Sequence, residues 1–298
     1  MPYKFKPALT VPENVKRIAS EEMRSAIEHL RGKAGVSREE SVHEVRKSIK
    51  KTRALLRLVR PELGQFFAEE NGDLRDTGHR LSELRDAGAL IAVLDNLSKQ
   101  TRSATAKRSV SAIRRSLTRQ KERLEKEAAS CKLMPSLAGA LVRARRSVRY
   151  WPLETDGFAA VEAGLQKTFR DGRKALAQAR KTGLREDFHE WRKRVKDHWY
   201  HVRLLNKLSG GVLDGYEQSL KELEDALGED LNLAILTERV QSMAGNGGGV
   251  KPNSLIKAMD SQRNMLRDRA LAIGERVYAE KPRQFARQVQ QLWKDRKA

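Results

Sequence analysis

Two stretches decide how this chain is read: "VHEVRKSIKKTRALLRLV" at 42–59 and "FHEWRKRVKDHWYHVRLL" at 188–205. A slide of 146 residues lays His43 on His189, Glu44 on Glu190, Arg46 on Arg192, Lys47 on Lys193, Lys50 on Lys196, Arg57 on Arg203 and Leu58 on Leu204. Arg24 also falls on Arg170, without a gap. The shift is close to half of the 298 residues, as expected of a duplicated unit whose other positions have diverged.

On a helix of 100° per residue, Arg46, Lys47, Lys50 and Arg57 lie at about −60°, +40°, −20° and −40° from His43. They form one stripe, and Val42, Val45, Ile49, Leu56 and Val59 lie opposite. The second copy sets His189, Arg192, Lys193, Lys196 and Arg203 against Phe188, Trp191, Val195, Val202 and Leu205. A solvated helix face ordinarily mixes charge signs, and cations three or four residues apart repel by a few tenths of a kcal/mol. A repeated stripe of one sign therefore favours anion binding over mere solvation. From His43 to Arg57 it spans roughly 21 Å, long for one phosphate and suited to a linear polyanion. Arginine grips phosphate with a fork, lysine adds a mobile charge, and histidine can donate an N–H.

Composition agrees. Sixty Lys and Arg oppose 39 Asp and Glu, a formal charge of +21. Such self-repulsion makes a polyanion the natural partner, whether nucleic acid, an anionic membrane face or a phosphate polymer. Cys131 is the single cysteine, so an internal disulfide or cysteine zinc site is excluded, and a reducing, cytoplasmic setting fits. The N-terminus carries no apolar signal region, and no apolar run reaches membrane-spanning length, so no membrane association is expected.

The pattern is helical nearly throughout, in an all-α fold without strands. Pro12 opens a helix to about residue 30, stopped by Gly32 and Gly35; Ser37 with Glu40 reads as a capping box for the next, which ends near Pro61. Further helices are expected at about 64–98 (with Gly72 and Gly78 as weak points), 104–130, 134–150, 158–181, 184–208, 213–243, 253–280 and 282–296. "RYWPLETDGF" at 149–158 reads as the linker between halves of about five helices each, and "GNGGGVKPN" at 245–253 as a flexible loop.

The two quoted stretches, each within an antiparallel helical half, resemble the CHAD family, named for histidines in an α-helical domain. "PENVKRIASEEMRSAIEHL" is similar to its lead-in helix, "LSELRDAGALIAVL" at 81–94 to its recurrent Arg-Asp segment, and "LGEDLNLAIL" at 227–236 to the matching segment of the second half. The resemblance implies one domain over 1–298, with halves at about 11–150 and 157–298. It implies two antiparallel four-helix bundles related by a pseudo-twofold axis, lining a central basic pore or groove. It also implies binding of inorganic polyphosphate, in some members on polyphosphate granules; with no catalytic motif in view the expectation is non-catalytic binding in the cytoplasm. Carried over by position, the binding set is His43, Arg46, Lys47, Lys50, Arg53 and Arg57 with His189, Arg192, Lys193, Lys196 and Arg203; Arg24, Arg170 and Arg173 are weaker candidates on neighbouring helices. Trp199 stands at the position matching Arg53 and Asp197 at that matching Lys51, so the two rims should differ. The Glu-x-Glu-x-Lys strand of the CYTH domain, fused to many members, is not found, and the chain resembles a stand-alone member.

Two other readings compete. Phosphate transfer or polyphosphate processing would need a positioned nucleophile and commonly Mg²⁺. No P-loop glycines or metal-ligand spacing are seen, and Arg46-Lys47 follows His43 where phosphotransfer domains carry Lys-Gly. Nonspecific nucleic-acid binding fits the charge and is expected weakly at low salt. Aromatic content of 5% offers no stacking platform, however. No cofactor or metal is expected, and oligomeric state is not legible. His198 reads as a core histidine, His201 as peripheral, His29 as a surface or capping residue, and His79 as a possible rim member. Trp151 and Trp293 read as packing anchors and Cys131 as inert.

Overall fold

The computed structural model describes residues 3–100, 104–245 and 253–295, and every regular element among them is helical. The helices are α1 (Val11–Leu30), α2 (Arg38–Leu58), α3 (Arg60–Leu63), α4 (Phe66–His79), α5 (Ser82–Gln100), α6 (Ala104–Ser130) and α7 (Leu133–Ser147). After the linker come α8 (Ala159–Thr182), α9 (Arg185–Asn206), α10 (Asp214–Gly245), α11 (Asn253–Val277) and α12 (Pro282–Asp295). Short 3₁₀ turns follow α7 and α9. None of the described helices is long and apolar enough to cross a membrane. Most of the loop expected at 245–253 lies outside the described residues.

Local chemistry explains the helix starts. Thr10 and Glu13 form a complete capping box for α1: Thr10 Oγ1 accepts from the Glu13 N–H at 3.3 Å, and Glu13 accepts from the Thr10 N–H at 2.8 Å. At Ser37 only half of the expected box exists, the serine hydroxyl accepting from the Glu40 N–H at 3.2 Å. The helix expected over 64–98 is broken instead into α4 and α5. Leu81 is fully buried at the break. The physical reason is packing: α4 lies on α2 and α7, whereas α5 lies on α6 and α10, and one straight rod cannot reach both. Among the described residues the first half thus holds seven α-helices, more than the five expected, and the second holds five.

Two apolar clusters hold the fold. Among the described residues the larger gathers chiefly side chains of α1, α2, α7, α8, α9 and α12 with one part of α10 and α11, and the smaller those of α5 and α6 with another part of α10 and α11. Each draws on both sides of the linker, so the cores do not divide where the sequence does. The linker itself is tied down: Trp151 is buried, Asp156 accepts from the Val11 N–H at 2.8 Å, and the Thr155 N–H donates to Glu62 at 3.2 Å. Close crossing of α8 over the end of α2 depends on Gly164, where an added Cβ would sit 1.9 Å from the Leu58 carbonyl oxygen.

α2 and α9 pack against each other near the centre, and α1 and α8 flank them respectively. Val42, Val45, Ile49, Leu56 and Val59 are all buried, as are Phe188, Trp191, Val195, Val202 and Leu205. The apolar sides expected from helical angles are the sides that face the cores.

Candidate functional site

Burying one side of α2 and of α9 leaves their cations directed at one another and at α5 and α10. His201 Nε2 donates to the Ala54 carbonyl at 2.7 Å, clasping the two helices. Above this clasp Arg46, Lys50, Arg192 and Lys196 gather. Burial depresses Arg46, Arg85 and Arg192 add to the effect, and Asp86 opposes it. Lys50 is pushed down to about 7, first by burial and then by the charges of Lys196, Arg46 and Arg192; only Glu224 opposes them. The two stripes therefore sense each other across the α2–α9 contact.

The stripes are not left uncompensated: counter-charge arrives both from other helices and from α2 and α9 themselves. Glu224 of α10, buried, accepts from Arg192 at 2.7 Å and Lys196 at 2.8 Å. Its own burial would raise its pKa, but these cations outweigh that and hold it below the ordinary value. Gly228 makes room for the arrangement, since a Cβ there would crowd the Arg192 guanidinium at 3.1 Å. Lys47 pairs with Glu44 at 2.9 Å, Lys193 with Glu190 at 3.2 Å, and Arg57 with Asp197 at 3.3 Å. Lys50 makes no ion pair among the described residues.

The remaining members are held without carboxylates. Arg46 donates to the Gly78 carbonyl at 2.9 Å, and Arg53 donates to the Asn71 side-chain oxygen at 3.0 Å. Arg53 is lowered to about 10, by burial first and by Arg57 next. Trp199, in the place matching Arg53, offers its ring to Lys196, Arg203 and Lys221 at 5.9, 5.6 and 5.5 Å from its centre. A ring face attracts cations without cancelling their charge, so this rim differs from the first in chemistry.

The two histidines differ from charged stripe heads. Arg85 Nε donates to His43 Nδ1 at 3.0 Å; a guanidinium only donates, so this nitrogen is unprotonated and neutral His43 carries its proton on Nε2. Burial lowers His43, and Arg85 adds to that. His189 is pushed down to about 4 by burial, then by Lys193 and Arg192. Both present neutral N–H donors near pH 7.

Arg24, Arg170 and Arg173 are exposed on α1 and α8. Arg173 donates to the Glu280 carbonyl at 2.9 Å, which ties it to the turn before α12. Sequence reasoning missed Arg85 and Glu224. Arg85 stands in the quoted Arg-Asp segment and could have been found there. Glu224 had no signal, because its pairing depends on how α10 lies on α9. His198 is a core histidine as expected, within hydrogen-bond reach of Tyr278 at 3.3 Å. His201, expected at the periphery, is fully buried because the chain places it on the α2 clasp. Trp151 and Trp293 are buried packing residues as expected.

The sequence matches the CHAD domain family model over residues 21–241. The chain belongs to the CHAD family. Among solved structures it is similar to PptA from Streptomyces chartreusis, with a TM-score of 0.58 and 15% identity, covering 94% of this chain and 100% of that one. At that identity the likeness concerns the fold. No curated protein sequence matches this CHAD chain.

Proposed function

We propose that this CHAD chain is a non-catalytic binder of inorganic polyphosphate, held between the α2 and α9 stripes. The observation that carries the reading is Lys50, a half-buried ammonium without a counter-ion of its own, beside Arg46 and the Arg192–Lys196 pair that shares Glu224. Such a cluster is costly empty and relieved by an anion. The CHAD resemblance supplies the polymer: its members are associated with polyphosphate. The repeated stripe, with α1 on α2 and α8 on α9, supports reading the fold as a pseudo-twofold duplication around a basic groove. His43, His189, Arg46, Arg53, Arg192 and Arg203 complete the proposed walls, with neutral imidazoles as donors. We place the protein in the cytoplasm, on polyphosphate granules when these are present.

Titration with long-chain polyphosphate, short-chain polyphosphate, orthophosphate and DNA at equal ionic strength tests this. Affinity should climb with polymer length, because many weak contacts act together. Equal molar affinity for orthophosphate and long polymer overturns the reading. Failure of polyphosphate to displace DNA at physiological salt replaces it with the nucleic-acid one, and phosphate release by purified protein replaces it with an enzymatic one.

A further inference from the structure

A second basic surface lies outside the stripes. Lys16, Arg17 and Ser20 of α1 face Arg145 and Arg146 of α7 and Arg149 of the turn beyond, around a cleft of about 400 Å³. No carboxylate lines it among the described residues, and none of its residues belongs to the central cluster.

Part of the cleft is pre-set. The Arg17 guanidinium is anchored by Glu21 at 3.0 Å, the Lys4 carbonyl at 2.8 Å and Asn14 at 3.0 Å. Lys16 donates to the Arg149 carbonyl at 3.4 Å. The Arg149 guanidinium lies over the exposed Tyr150 ring, 4.5 Å from its centre. Arg145 and Arg146, in contrast, are exposed and make no ion pair among the described residues. Basic residues in a last helical turn ordinarily answer the unpaired carbonyls there. Here Lys16 reaches across from α1 to the Arg149 carbonyl, in the turn beyond that last helical turn, and Arg145 and Arg146 keep no carboxylate partner among the described residues. Five cations around one cleft raise a local positive potential that a single small anion would only partly neutralise.

We propose that this α1–α7 cleft is a second anion site that takes a further segment of a phosphate polymer. The ligand class rests on the polyphosphate reading of the central stripes; the site itself rests on the cleft. No aromatic ring is among the described residues that line it, and the neighbouring Tyr150 ring carries Arg149, so bases would find little to stack on. A linear polymer with a charge on every unit matches a row of cations without needing a fixed geometry. With two sites on one protein, a long chain that reached both would bind more tightly than two separate short chains. A chain spanning two proteins would instead crosslink them.

Calorimetric titration with short-chain polyphosphate tests the proposal. Wild type should bind two chains. Arg145→Glu with Arg146→Glu should bind one, as should Lys50→Glu with Arg192→Glu, and Arg145→Gln with Arg146→Gln should weaken the outer site at unchanged circular dichroism. Two bound chains in the Arg145/Arg146 variants overturn the outer site and leave the central reading intact. Loss of all binding in those variants, with none lost in the Lys50/Arg192 variant, overturns the central reading and keeps the cleft. Single-stranded DNA or anionic vesicles that displace polyphosphate from the Lys50/Arg192 variant at physiological salt overturn the assigned ligand.

Discussion

If polyphosphate lies against Lys50 as proposed, its binding should depend on pH in a window that histidines do not reach. The pKa of Lys50 is pushed down to about 7 by burial first and then by the charges of Lys196, Arg46 and Arg192, with Glu224 opposing. A polyanion against the ammonium favours its charged form and returns it toward the ordinary value of about 10.4. Binding then takes up a proton whenever Lys50 starts neutral. The sign follows: the bound pKa is higher, so affinity is greatest at low pH and falls as pH rises above 7. Full restoration would lower affinity about fiftyfold from pH 7 to pH 9, about 2 kcal/mol, with a slope approaching one proton near pH 8. Fluorescence titration with long-chain polyphosphate at fixed ionic strength measures this. Lys50→Arg keeps its charge throughout and should flatten the curve while retaining tight binding; Lys50→Met should flatten it and weaken binding at pH 6. A wild-type curve that is flat from pH 7 to pH 9, or a Lys50→Arg curve as steep as wild type, refutes the reasoning.

Charge reversal of Arg46 and Lys50 should weaken polymer binding at least about tenfold, since each charge-assisted contact is worth about 1.5–3 kcal/mol before other costs. The exposed control pair Lys107→Glu with Arg276→Glu should cost much less at the same change in net charge, measured by the same titration. Arg192→Gln with Lys196→Gln strands buried Glu224 and should lower stability by about 3–5 kcal/mol in urea unfolding; adding Glu224→Gln should recover most of it. His198 and His201, depressed by burial to about 3 and 4, are neutral in the fold but take protons when unfolded. Stability should therefore be full above about pH 6.5 and fall as pH drops, by about 2 kcal/mol per histidine at pH 5. Replacing His198 with Phe should remove its share of that loss, read from denaturation midpoints at pH 7 and pH 5.

The sequence by itself determined the helical class, the sides of α2 and α9 that enter the core, and the alignment of His43 through Arg57 with His189 through Arg203. Those are local properties: a period near 3.6, caps, and residue identity at a fixed offset. The break between α4 and α5 was only hinted at, since Gly78 weakens a helix there without ending it, and the decision came from which partners each half must reach. Charge balance was likewise decided by tertiary structure. The stripe looks uniformly cationic along the chain, yet Glu224 and Asp197 are brought to Arg192, Lys196 and Arg57 by helix packing. His201 lacks a partner in the repeat but lies on the clasp between helices. Lys50 and Lys47 read alike in sequence. Only folding separated them, since burial, Arg46 and the facing cations Lys196 and Arg192 act on Lys50 while Lys47 keeps Glu44 on its own helix. Long-range electrostatics depends on distance and on burial, and neither is written in the order of the residues.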